Sequence, residues 1–148
     1  GNVGLAVTID SGEWNDLHPE KKKSAGTRAA MEALRIAYNK PYNPAPKAVY
    51  TGRKGNKFVV QFETGSASLK SALLEIPGFY FLEKTEDKVN KVSSTGRIIS
   101  DNEVEVDVPE CKGKLIELRY LWADSPDQIV LYSSDNLPAA PFRAVIPE

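Results

Sequence analysis

Residues 103–108 read Glu-Val-Glu-Val-Asp-Val, an unbroken alternation of acid and valine. A period of two belongs to a β-strand with one face on a core and the other in water. The same period runs through Phe58, Val60 and Phe62, which alternate with Val59, Gln61 and Glu63. It returns in Ile116, Leu118, Tyr120 and Trp122, alternating with residues that include Glu117 and Arg119. Further strands are expected at 79–82, 89–92, 97–99 and 129–132. Gly55-Asn56, Ser94-Thr95-Gly96, Asp101-Asn102 and Lys112-Gly113 have the residue types of tight turns between them. Residues 68–76 suit either a short helix or a turn, and the proline-rich residues 137–148 suit an extended strap. Short strands with frequent turns predict an antiparallel β-sandwich.

The first third is different. Residues 3–9, Val-Gly-Leu-Ala-Val-Thr-Ile, form an almost continuous apolar run. That pattern predicts a strand buried on both faces, as in a parallel sheet. A polar loop follows from Asp10 to His18, and Pro19 suits the first turn of a helix running to Tyr38, with Asp16 as its cap. Thr27, Ala30, Leu34, Ala37 and Tyr38 share one face at helical spacing, while Lys21, Lys22, Lys23, Arg28 and Glu32 suit solvent. Three prolines within residues 40–46 end the helix and form a semi-stiff linker. One buried parallel strand needs neighbours on both edges. Residues 1–41 are therefore expected to be the end of a larger α/β domain whose earlier part is absent, and residues 42–148 to be the sandwich with its tail. The unpaired edges of the lone strand invite self-association.

Composition sets the outer limits. A chain of 148 residues can bury about 68–70% of its unfolded surface, enough for a core without a metal or disulfide staple. With 19 basic and 20 acidic residues, net −1, it has no excess charge to neutralise phosphates, so no nucleic-acid partner is expected. One cysteine, Cys111, and one histidine, His18, exclude a disulfide framework and a Cys- or His-rich metal site. No cofactor is expected. No apolar run reaches the roughly 18–20 residues of a membrane-spanning helix, so no membrane partner is expected either.

The densest cluster of chemical types is Glu13-Trp14-Asn15-Asp16-Leu17-His18-Pro19, at the carboxyl end of the apolar run, where open α/β sheets place their sites. An imidazole serves as a general base when a nucleophile lies in reach, and a carboxylate can orient it and stabilise its charged form. On spacing alone, a lone histidine before a proline-started helix is also an ordinary surface residue.

Residues 6–34 resemble the last motif block of carbohydrate esterases of the SGNH type, near the sialate O-acetylesterases. In that family an apolar strand leads to a loop ending in Asp-(Ile/Leu)-His-Pro, followed by a helix with basic residues. Here the loop ends in Asp16-Leu17-His18-Pro19. A second resemblance lies downstream, in Arg119-Tyr120-Leu121-Trp122-Ala123-Asp124-Ser125-Pro126, Leu131-Tyr132, and Leu137-Pro138-Ala139-Ala140-Pro141-Phe142-Arg143. Residues 45–112 match the family only loosely. The resemblance implies that His18 is the catalytic histidine, with Asp16 its orienting carboxylate and Glu13 an alternative. The wider SGNH pattern places the acid three residues before the histidine, where this chain has Asn15. The family's serine-nucleophile block and oxyanion donors are absent, and Ser11 lies in the wrong block to replace the serine. The resemblance thus implies the C-terminal part of an O-acetylesterase acting on an acetylated sugar, inactive without its N-terminal hydrolase segment. Periplasmic or secreted localisation is suggested by the resemblance alone.

The remaining residues have simpler readings. Tyr120 and Trp122 are expected in the core, Cys111 is expected partly buried, and Phe142 and Arg143 are expected to anchor the tail. A carbohydrate-binding or structural β-sandwich is the alternative to an esterase part. Tyr42, Tyr50, Tyr80 and Tyr132 are its candidates for stacking on sugar rings.

Overall fold

The computed structural model describes residues 3–147; Gly1, Asn2 and Glu148, the ends of the expected apolar strand unit and of the tail, lie outside the described residues. The fold is mainly β. One helix, α1 (Lys22–Tyr38), precedes nine strands: β1 (Lys47–Lys54), β2 (Lys57–Glu63), β3 (Leu69–Ser71), β4 (Ile76–Lys84), β5 (Val89–Ser100), β6 (Glu103–Asp107), β7 (Lys114–Tyr120), β8 (Leu131–Ser133) and β9 (Phe142–Val145). Seven form one antiparallel sheet in the order β1-β2-β6-β5-β4-β7-β9, while β3 and β8 form a separate two-stranded ribbon.

The alternating segments behave as their period requires. Phe58, Val60 and Phe62 of β2 point inward, opposite Val104 and Val106 of β6, and all five are buried. Leu118 and Tyr120 of β7 pair with Phe81 and Phe79 of β4. Burying each such side chain contributes about 1.5–3 kcal/mol. The turns at Gly55-Asn56 and Asp101-Asn102 fall where expected.

The two sheets of a sandwich are not what forms. The seven main strands make a single sheet that curls until its edges approach, giving a nearly closed, barrel-like body. Register shifts interrupt the β1–β2, β4–β5, β4–β7 and β5–β6 ladders. Such bulges bend a strand and sharpen its twist, which lets one sheet wrap round its own core. Across the remaining gap, the Ala140 N–H donates to the Pro46 carbonyl at 2.8 Å. The linker is fixed too: Asn43 donates to Asp135 and accepts from Ser66, and Pro46 is fully buried.

Other expectations need correcting. Residues 3–9 form no strand: they enter no strand pairing, and Val3 and Leu5 are exposed. A parallel strand needs partner strands, and the described residues supply none beside this segment. Only Val7 is buried and Ile9 packs on the core. The helix starts at Lys22 with no side-chain cap. Thr27, Ala30, Ala37 and Tyr38 face solvent, while Arg28 turns inward. Ser94-Thr95-Gly96 is no turn but the middle of β5, a 12-residue strand where two were expected. Residues 68–76 carry the short strand β3 in place of a helix, and the tail contains β9. Cys111 is exposed.

Gly96 explains itself by packing. A Cβ there would lie 2.8 Å from the Phe79 ring and 2.7 Å from Val104. The glycine makes room for an aromatic ring over the strand, a role that its turn-like neighbours conceal in the sequence. Gly96→Ala should therefore destabilise the protein by about 1–3 kcal/mol through overpacking. In urea the midpoint should fall while the slope is unchanged. An unshifted midpoint would refute this account of the glycine.

Candidate active site

Residues 10–28 build the candidate site. Asp10 ends the irregular N-terminal segment, and Arg28 lies one and a half turns into α1. The guanidinium grips the Asp10 carboxylate with two nitrogens: Nη1 bonds Oδ1, and Nη2 bonds Oδ2 at 2.8 Å. Nη1 also donates to the Val7 carbonyl at 3.0 Å. From the barrel side, the Tyr132 hydroxyl donates to Asp10 Oδ2 at 3.3 Å. Beside this pair, the Ser11 and Ser24 hydroxyls lie 2.7 Å apart. The expectation that Arg28 faces solvent is thus overturned: an inward carboxylate gives it a partner that sequence spacing does not reveal.

The electrostatics follow from that geometry. Burial raises the pKa of Asp10, but the hydrogen bonds and charge of Arg28 outweigh it and hold the carboxyl below its ordinary value. The hydrogen bond to Asp10 raises Arg28 further. Burial, then the neighbouring carboxylate, pushes the Tyr132 phenol up.

The clamp closes both ends of a loop and leaves its middle in water. Within the loop, Asp16 N–H donates to the Glu13 carbonyl at 3.1 Å, forming a tight turn. Asp16 Oδ1 then accepts the backbone N–H of His18 at 2.7 Å. This Asx-type turn explains why Asp16 caps the His18 backbone and not the start of α1. Glu13, Asp16 and His18 are all exposed, as are Trp14 and Leu17. The structure therefore brings Asp16 to the backbone of His18 and presents both on one solvent-facing turn. Ser11 is buried and tied to Ser24 and Asp10.

The cavity beside the loop does not contain the histidine. About 520 Å³ lies between α1 and the turn after β8, lined by residues including Lys21, Arg28, Met31 and Leu137. Among the described residues, no group of three or more His, Cys, Asp or Glu side chains could hold a metal ion. The loop alone can offer a base and two carboxylates; it holds neither a nucleophile in reach of His18 nor an enclosed pocket for an ester.

Sequence reasoning missed Asp10, Arg28 and Tyr132 as the fixtures of the loop. Asp10 and Arg28 are separated by 18 residues and Tyr132 by more than a hundred. No local spacing rule links them.

No family model matches the chain, and no curated protein matches it. A solved structure is similar: XAC1771, described as a novel carbohydrate acetylesterase from Xanthomonas citri. The TM-score is 0.77 at 28% sequence identity, covering 92% of this chain but 31% of that one. This chain thus spans about a third of the structure it matches, and it resembles a portion of a carbohydrate acetylesterase.

The clamp sets a pH dependence. Because Asp10 is held below its ordinary value, its contribution to stability is present above the unfolded carboxylate pKa of about 3.9 and is lost as pH falls through the lower folded value. Protection of residues 7–28 against hydrogen exchange, measured relative to the intrinsic rate at each pH, should fall below about pH 4. Arg28→Met should produce the same loosening at neutral pH, costing about 1–3 kcal/mol because it leaves a half-buried carboxylate unpaired. Exchange in the variant that matches the parent at pH 7 would disprove the clamp.

Proposed function

We propose that this chain is the C-terminal part of a carbohydrate O-acetylesterase of the sialate type, with residues 1–41 supplying the catalytic-histidine loop and residues 42–148 an accessory β-domain. The observation that carries this reading is the likeness of nearly the whole chain to about a third of a carbohydrate acetylesterase. The exposed side chains of residues 3–38 support it. Val3, Leu5, Trp14, Leu17 and Tyr38 are all exposed. In the complete enzyme the missing hydrolase portion covers them and brings its serine to His18.

The reaction is acyl transfer to water. A serine hydroxyl on the hydrolase portion attacks the acetyl carbonyl, and His18 takes its proton. Collapse of the tetrahedral intermediate expels the sugar oxygen, which receives that proton from His18. Water then attacks the acetyl-serine, giving its proton to His18, and collapse releases acetate as His18 returns that proton to the serine oxygen. Asp16, or alternatively Glu13, stabilises the imidazolium. Oxyanion donors, usually the largest single contribution to such catalysis, come from the hydrolase portion. The substrate is an acetylated sialic acid or another acetylated sugar.

The chain alone should therefore release no significant acetate from acetylated sugars. Joined to a complete hydrolase portion it should do so, and His18→Ala should lower kcat by about 10²–10⁴-fold. The melting temperature should not change, because His18 is exposed. Comparing Asp16→Asn with Glu13→Gln identifies the orienting carboxylate by which one reduces kcat. Full activity of His18→Ala in the joined enzyme would refute this assignment. Activity of the isolated chain would refute the need for the missing part.

A further inference from the structure

The β7 strand ends with an abrupt break in its alternation. Tyr120 points into the core, so an unbroken strand would send Trp122 the same way. Instead Leu121 adopts the left-handed conformation, with φ +45°. For a leucine that conformation costs about 1–2 kcal/mol. Its N–H bonds the carbonyl of Gly78, itself at φ +90°, and the Leu121 side chain packs against that glycine. Leu121 is consequently 4% exposed, while Trp122 is 46% exposed. The Ala123 N–H closes a three-residue turn on the Leu121 carbonyl at 3.0 Å, with Trp122 at its tip.

The turn is held in place. The backbone carbonyl of Trp122 accepts the Tyr80 hydroxyl at 2.8 Å, and the Arg143 guanidinium stands over the indole at 5.8 Å from its centroid. Lys91 is likewise fixed over the Tyr80 ring at 4.1 Å. Trp122 borders two open cavities, of about 580 and 620 Å³. Each is within the roughly 300–1,000 Å³ of small-ligand sites. The wall of the first carries Thr95, Ser125, Asp127 and Gln128, none of whose side chains is hydrogen-bonded among the described residues. Gln128 is also left-handed, at φ +53°. Leu121 and Gln128 thus place two non-glycine left-handed residues round one cavity. Rarely populated backbone conformations concentrate where a site must be held in shape.

We propose that this cavity is a carbohydrate-binding subsite that takes a pyranose ring of an oligosaccharide. A pyranose has an apolar face of C–H groups and a rim of hydroxyls. Trp122 offers a rigid, half-exposed indole to the face; Ser125, Asp127, Gln128 and Lys91 offer donors and acceptors to the rim. The choice of a sugar rests on the esterase reading above, and the subsite lies on the β-domain, away from His18 in the sequence. In the complete enzyme it holds an unreacted part of the glycan.

The test uses this chain and glycans that carry no acetyl ester, so catalysis plays no part. Trp14→Phe leaves Trp122 as the sole tryptophan. Its emission should change saturably on titration with xylotetraose or sialyllactose. Asp127→Ala and Gln128→Gly, both at exposed positions, should weaken binding about tenfold or more in that background. Trp122→Ala, followed by calorimetry, should abolish it. No saturable change with either glycan, or binding that survives all three substitutions, overturns the subsite. Emission that responds to an added hydrolase portion but not to either glycan also overturns it, and assigns Trp122 to an interface. If neither glycan binds but the joined enzyme releases acetate, the subsite fails and the esterase reading stands. If glycans bind and the joined enzyme releases none, the subsite stands and the esterase reading fails.

Discussion

Phe62, Phe79, Tyr120 and Phe142 meet inside the barrel, and that aromatic contact holds its curl. The four come from β2, β4, β7 and β9. The Phe79 and Tyr120 rings lie 4.6 Å apart, centre to centre, on paired strands. Phe142 reaches Phe62 at 6.2 Å, joining strands that are not neighbours in the sheet. Hydrogen bonds extend a sheet sideways, but only side chains crossing its interior can make one sheet enclose a core. Edge-to-face contacts of this kind add about 0.5–1.5 kcal/mol beyond their buried area. The tail is thereby part of the core and not a strap laid over it.

Both sites of interest hang from this body by short polar or strained connections. The histidine loop is tied through Asp10 to Arg28 on the helix and to Tyr132 on β8. The tryptophan turn begins one residue after Tyr120 and is steadied by Arg143, one residue after Phe142. The same strand ends that close the core therefore place the groups that remain in water. This arrangement explains why the chain can hold an exposed histidine and an exposed tryptophan without lacking a well-packed interior.

The two ends of the chain differ in how they satisfy themselves. The barrel buries its large apolar residues and pairs its strands. Within it, the Glu83 carboxylate is satisfied by the backbone N–H groups of Gly113 and Lys112, which keep it below its usual pKa. Residues 3–38 leave much of their apolar surface outside, and α1 has no buried residue. Exposed apolar side chains concentrated in one segment signal a surface meant to be covered.

Alternation at 58–62, 103–108 and, up to Tyr120, at 116–122 was enough to determine strands, their inward faces and most turns, because a period of two is a local property of the chain. A helix ending at Tyr38 before the prolines was legible too, but its start at Lys22 and its inward face were not. Whether the strands close into one sheet or pack as two depends on bulges and on contacts between strands distant in sequence, so only the tertiary structure decided it. The apolar run at 3–9 looked like a buried strand, but a strand exists only beside another strand. The Arg28–Asp10 pair joins positions with no local relation. Trp122 carried the period of the core and was turned outward by one left-handed residue, Leu121, whose conformation is set by the glycine it packs against on another strand.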